Sequence, residues 1–221
     1  MADRKLAAAI ILAFSASPAP PPQQGDGFLI RNALVIDGTG APARRADVRV
    51  TGWRIETIGS LTPRAGEQVI GARGLALAPG FIDTHSHHDR GLDDARDALA
   101  VVSQGITTII VGQDGGGADL EEMFSQRIER PAAVNVASYA GHGAIRERVM
   151  GDDYRRAATA DEIAQMESLL AREMAAGALG LSTGLEYDPG IYSTPEEGRA
   201  LAKVAARAGG GYISHMRSGG R

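Results

Sequence analysis

The 221 residues carry 23 Lys and Arg against 27 Asp and Glu, a formal net charge of −4. Neither sign forms a long run, which argues against a nucleic-acid partner, and 43 % hydrophobic with 23 % charged residues is the balance of a globular protein. Cysteine is absent, so disulfides, a thiolate nucleophile and Cys-liganded zinc are excluded. Lysine occurs only at Lys5 and Lys203, which leaves it almost no catalytic role.

The chain opens as an export signal does. Arg4 and Lys5 precede the apolar run Leu6 to Phe14, and Ala13 and Ser15 suit a cleavage site. The run is too short to span a bilayer. A stiff Pro-rich spacer, Pro18 to Pro22, follows. The expectation is a leader and spacer over residues 1–25 and a bacterial periplasmic or secreted protein with no membrane contact in its mature form. A disordered tail is the alternative.

Residues 26–74 read as a small β domain. Phe28 to Ile36 is strand-like and ends at the turn Asp37-Gly38-Thr39-Gly40. Val48 to Val50 and Trp53 to Ile58 flank Thr51-Gly52 as a hairpin. Gln68 to Ile70 adds a short strand.

From residue 75 the pattern changes to strand, loop and helix, repeated. Leu75 to Leu77 leads through Pro79-Gly80 to a strand over Phe81 to His85. A helix over Asp93 to Gln104, a buried strand over Thr107 to Val111 and a helix over Asp119 to Glu129 follow. Val134 to Tyr139 is the third strand. The pair Thr159 and Glu162 predicts a capping box opening a helix that runs to Ala176, with Gly177 just past its end. Leu179 to Ser182 is the fourth strand. Pro195 sits at the first position of the next helix, and Gly211 to His215 is the fifth strand. Strands alternating with helices predict a parallel sheet. An open doubly wound sheet and a partial (β/α)8 barrel both fit. The barrel is preferred because His85, His87, Asp114, His142, Glu186 and His215 gather at C-terminal strand ends, where barrel enzymes keep their chemistry.

His85-Ser86-His87 is the sharpest motif. Two residues apart on a strand, both imidazoles face the same way and can reach one metal ion. Asp114, ahead of Gly115-Gly116-Gly117, reads equally as a metal ligand or as a turn residue. His142, between Gly141 and Gly143, reads as a pocket or a loop residue. His88 and Asp89 read as loop or supporting residues. Glu186 is a reserve ligand, a substrate contact or a solvated glutamate. Tyr192 and Arg217 can bind a substrate carboxylate, the arginine through its planar fork, or simply form surface contacts.

Ala78-Pro79-Gly80-Phe81-Ile82-Asp83-Thr84-His85-Ser86-His87 resembles the first barrel strand of the amidohydrolase superfamily. The stretches Asn135 to Arg146, Gly177 to Tyr187 and Tyr212 to Arg217 are similar to its N-acyl-D-amino-acid deacylase branch, so the resemblance spans about Phe28 to Arg217. It implies an α/β fold: a partial TIM-like (β/α)8 barrel over residues 75–221, with about five βα units, and a small β-sandwich piece. It implies zinc, as one or two divalent ions, held by His85, His87 and His215 with Asp114. It also implies hydrolysis of N-acyl-D-amino acids, the small-molecule partner, with His142, Glu186, Tyr192 and Arg217 near the substrate. One departure is plain: better-known relatives carry Gly-Asn-Cys-Gly where this chain has Gly112-Gln113-Asp114-Gly115, a harder donor in place of thiolate. The family's sixth-strand histidine and its general-base aspartate after the eighth strand lie beyond Arg221. The 221 residues are therefore expected to be a fragment, inactive alone. A dihydroorotase-like hydrolase and a non-catalytic metal-binding remnant are the alternatives.

Overall fold

The computed structural model describes residues 27–218. The expected leader and spacer lie outside the described residues, as do Gly219, Gly220 and Arg221. The chain divides into two compact units, Met1–Pro79 and Gly80–Arg221.

The first unit is one mixed sheet. β1 (Gly27–Val35), β2 (Arg44–Thr51), β3 (Arg54–Gly59) and β4 (Gln68–Gly71) lie in the order β3-β2-β1-β4, and β5 (Ala76–Leu77) also pairs with β1. The β1–β2 and β2–β3 pairs are antiparallel, while β4 and β5 run parallel to β1. Leu29, Ala33 and Val35 of β1 are buried, and Val48 and Ala72 complete the small core. The register shifts at a bulge around Asn32, whose φ of 60° frees its N–H to donate to Asp47 Oδ1 at 2.8 Å. A bidentate pair, Arg49 with Glu67 (2.6 and 3.0 Å), ties β2 to the segment before β4. The division falls after Pro79 rather than after residue 74, because Ala76 and Leu77 pair with Leu34 and Val35 of β1.

The second unit alternates strand and helix. Its strands are β6 (Phe81–Asp83), β7 (Ile106–Val111), β8 (Asn135–Ser138), β9 (Ala140–Gly141), β10 (Gly180–Gly184) and β11 (Gly211–His215). All pairings are parallel and follow chain order, β6-β7-β8 and β9-β10-β11. The single predicted strand over Val134 to Tyr139 is bent at Tyr139. Before the bend it pairs with β7, and after it with β10. Every residue of β10 is buried.

Helices fill the connections: α1 (Leu99–Val102), α2 (Leu120–Glu129), α3 (His142–Met150), α4 (Ala160–Ala175) and α5 (Pro195–Arg207). Leu170 and Met166 of α4, Leu201 of α5, Ile145 of α3 and Leu181 of β10 form one core cluster. The helix expected over Asp93 to Gln104 shrinks to α1. Gly91 (φ 80°) and Ala98 (φ 47°) both take left-handed backbone, which an α-helix cannot contain. Helix α3 arises where only a loop was read, since its first residues are a Gly-His-Gly run with no side-chain cap. Among the described residues no helix is long and apolar enough to cross a membrane.

The capping box forms as its spacing predicts: Glu162 N donates to Thr159 Oγ1 at 3.3 Å and Thr159 N to Glu162 Oε2 at 2.7 Å. Thr159→Ala is expected to lower stability by about 1 kcal/mol, read from the shift in urea midpoint at constant slope. A change under about 0.3 kcal/mol would show that the box contributes nothing net.

Candidate metal centre

His85 and His87 follow β6 directly, and the loop after β7 brings Asp114 to them. Three features build that loop. Asp114 itself holds φ 56°, and Gly112, Gly115 and Gly117 hold φ of 70°, 78° and 139°, so the chain reverses tightly. Gln113 is buried, and its amide nitrogen donates to Thr84 O (3.1 Å) and Ile110 O (3.0 Å), tying the loop to the backbone just before His85. Ser182, fully buried on β10, accepts from Gly115 N at 3.2 Å and donates to Gly112 O.

The result is a compact donor set. His85, His87 and Asp114 each offer a ligand atom, all within 4.8 Å of one another. The two imidazole Nε2 atoms lie 3.4 and 3.2 Å from the same oxygen, Asp114 Oδ2. Zinc–nitrogen and zinc–oxygen bonds of about 2.0–2.2 Å in a tetrahedron place neighbouring donors about 3.3–3.6 Å apart. The residues present therefore fit a divalent ion of that size, and they do so with borderline and hard donors only. Asp114 occupies the turn, and the turn aims its carboxylate at the two histidines.

His215, at the end of β11, comes near without joining the trio. Its Nδ1 lies 3.8 Å from Asp114 Oδ1. The ring instead packs 4.5 Å from Tyr187, with Tyr187 Oη 3.3 Å from Nδ1, and its Nε2 lies 3.1 Å from Glu186 Oε2. Glu186 thus stands at the site through His215 and is half-exposed.

The other predicted residues sit elsewhere. His142 is fully buried, with Nε2 at 2.7 Å from Glu197 Oε1. It faces no solvent and so is not a surface substrate contact; Glu197, equally buried, draws it inward. The Arg217 guanidinium donates to the carbonyls of Ile191 and Ser193, bracing that turn with part of the fork expected for a carboxylate. Tyr192 packs its ring 6.1 Å from Tyr154. Sequence reasoning missed Gln113, Ser182 and Glu197. Only Glu197 left a trace, as the acid three residues after Thr194.

A Cβ on Gly184 would meet Asp114 O at 2.0 Å, whereas one on Gly198, within α5, meets nothing within 4 Å. Gly184→Ala is expected to cost about 1–3 kcal/mol through overpacking and to displace Asp114. Gly198→Ala is expected to gain about 0.5–1 kcal/mol. Paired urea melts check both, and equal effects would contradict the packing described here.

The amidohydrolase family model matches residues 68–213. D-aminoacylase of Alcaligenes xylosoxydans xylosoxydans is 38 % identical over 217 residues, covering 87 % of this chain and 45 % of that protein. N-acyl-D-aspartate deacylase of the same organism is 41 % identical, covering 89 % of this chain and 44 % of its own length. A crystal structure of N-acyl-D-glutamate deacylase from Bordetella bronchiseptica, complexed with zinc and a phosphonate mimic of the tetrahedral intermediate, superposes with a TM-score of 0.81 at 36 % identity. It covers 86 % of this chain and 45 % of that one. The chain thus spans a little under half the length of these relatives.

Proposed function

Because the chain belongs to the amidohydrolase family, we propose that it forms the metal-binding part of a hydrolase that cleaves N-acyl-D-amino acids to a carboxylate and a free D-amino acid. The observation that carries the metal site is the sharing of Asp114 Oδ2 by the Nε2 atoms of His85 and His87, 3.4 and 3.2 Å away. The substrate class rests on the likeness to three deacylases of N-acyl-D-amino acids. The parallel strands in chain order, with helical crossovers, support reading the second unit as about five successive units of a (β/α)8 barrel. The five-stranded sheet of the first unit is read as one part of a β-sandwich.

His85, His87 and Asp114 would hold a divalent ion, with His215 beside them. A bound zinc supplies Lewis-acid polarisation of the acyl oxygen and a more acidic water. The residues themselves do the rest. The bracing of Asp114 by Gln113 and Ser182 fixes where its carboxylate charge lies. His215, oriented by Glu186 and Tyr187, stands beside that carboxylate, with Nδ1 3.8 Å from Asp114 Oδ1.

The test uses a zinc-loaded protein in which this sequence is part of a chain of its relatives' full length, and offers it N-acetyl-D-methionine, N-acetyl-D-aspartate and N-acetyl-D-glutamate, their L-enantiomers, and dihydroorotate. The expected result is free D-amino acid, lost on chelation and restored by zinc. Preference for L-substrates, or opening of dihydroorotate alone, would refute the assignment.

A further inference from the structure

The second unit contains a buried charged cluster that the reading above does not use. His142, Arg146 and Glu197 are all fully buried. Glu197 Oε1 lies 2.7 Å from His142 Nε2, and its other oxygen accepts from Arg146. Arg146 also donates to the carbonyls of Tyr154, at 2.9 Å, and Arg156. The cluster joins the first turn of α5 to the first two turns of α3. Burying three such groups is costly, and a helix junction alone can be sealed with apolar side chains.

What the cluster holds explains its place. The first turn of α3 is pressed against the loop that carries Asp114. Ala144 N donates to Gly115 O at 3.1 Å. A Cβ on Gly143 would lie 2.9 Å from Gly115 O, and one on Gly141 would lie 1.9 Å from Gly116 O. No side chain separates the two backbones, so the start of α3 cannot shift without moving the residues just after Asp114. His142 is the residue between those two glycines, and its imidazole is the only side chain there that can be gripped.

We infer that His142 and Glu197 are positioning residues for the metal centre: through the backbone of α3 they lock the Asp114 loop in the turn that presents its carboxylate to His85 and His87. The inference rests on Asp114 being a ligand. His142 touches no substrate in this account. It acts two residues away, through the Ala144–Gly115 hydrogen bond. Glu197→Gln keeps the shape and removes the charge that fixes both His142 and Arg146. His142→Gln removes the ring.

The experiment is Co²⁺ titration of the full chain, following visible d–d absorption, whose intensity and position report the metal's coordination geometry. The variants are Asp114→Ala, His142→Gln, Glu197→Gln and Leu170→Ala, the last a buried α4 residue that loosens the core α3 shares without removing a member of the charged cluster. All are measured at a temperature where circular dichroism shows them folded. Glu197→Gln and His142→Gln are expected to weaken Co²⁺ binding by roughly tenfold or more and to move the spectrum toward that of Asp114→Ala, while Leu170→Ala leaves it unchanged. If His142→Gln does not fold, Glu197→Gln decides. Wild-type spectra in both variants, with Asp114→Ala altered, would overturn the inference and leave the ligand reading standing. An equal change in Leu170→Ala would also overturn it, as general loosening. No Co²⁺ binding by the wild type, or no effect of Asp114→Ala, would defeat the ligand reading itself and the inference with it.

Discussion

Glu197→Ala is expected to destabilise the protein by about 3–5 kcal/mol, the usual cost of removing one partner from a buried ion pair. Glu197 and Arg146 have no solvent exposure. With the carboxylate gone, the guanidinium keeps its donations to Tyr154 O and Arg156 O but loses its counter-charge. His142 Nε2 loses its partner as well. The penalty is thus that of an uncompensated buried charge, larger than the transfer energy of the deleted atoms. A double variant, Glu197→Leu with Arg146→Met, is expected to recover most of the loss, since apolar replacement of a whole buried pair is often neutral or stabilising. Urea denaturation of the two singles and the double gives the coupling. Additive effects would mean that the pair is not the unit described here.

The same cluster sets an acid dependence. Burial pushes the Glu197 carboxyl up, but hydrogen bonds from His142 and Arg146, with their charges, outweigh it and hold the group below its ordinary value. Its folded pKa therefore lies below its unfolded one. The stability this contributes is fully present above the unfolded carboxylate range, near pH 4.3, and is lost as pH falls through the folded value. The gap between wild type and Glu197→Gln should accordingly narrow on acidification below about pH 4. A gap that widens there would reverse the sign of the argument.

Removing the His87 imidazole is expected to weaken zinc binding on the order of 100-fold or more. Loss of a supporting contact to a ligand already costs about 10–100-fold, and here a donor itself is lost from a set of three. His85→Ala should behave alike, because both rings face the same Asp114 oxygen. His88→Ala should leave affinity unchanged: it is the next residue along but belongs to no such cluster among the described residues. Competition with a chromophoric chelator measures all three. An unchanged affinity in His87→Ala would remove that residue from the centre.

How much of this was legible in the sequence follows from the range of the interactions. The His85 and His87 pair is readable because strand periodicity alone puts both rings on one face. The capping box of α4 is readable because it is local, four residues from Thr159 to Glu162. Asp114 stayed open between ligand and turn residue because local sequence shows the turn and not the histidines 27 and 29 positions earlier. Gln113 and Ser182 were illegible for the same reason: the Ser182 hydroxyl contacts a loop about 70 residues away. His142 reads as a pocket or a loop residue because two glycines flank it, yet those glycines serve the close approach of the Gly115–Gly116 backbone. The shortening of α1 turns on a left-handed alanine, Ala98, which no propensity scale would place there. The domain division moved past residue 74 because a two-residue strand pairs with β1, about 42 positions back.

We propose that His85, His87 and Asp114 together bind the ion. Anomalous diffraction at the zinc edge, from crystals of the zinc-loaded protein, tests it most directly. The account predicts a peak about 2.0–2.2 Å from His85 Nε2, His87 Nε2 and an Asp114 carboxylate oxygen. A map with no peak there, or with zinc only on other groups, would contradict it.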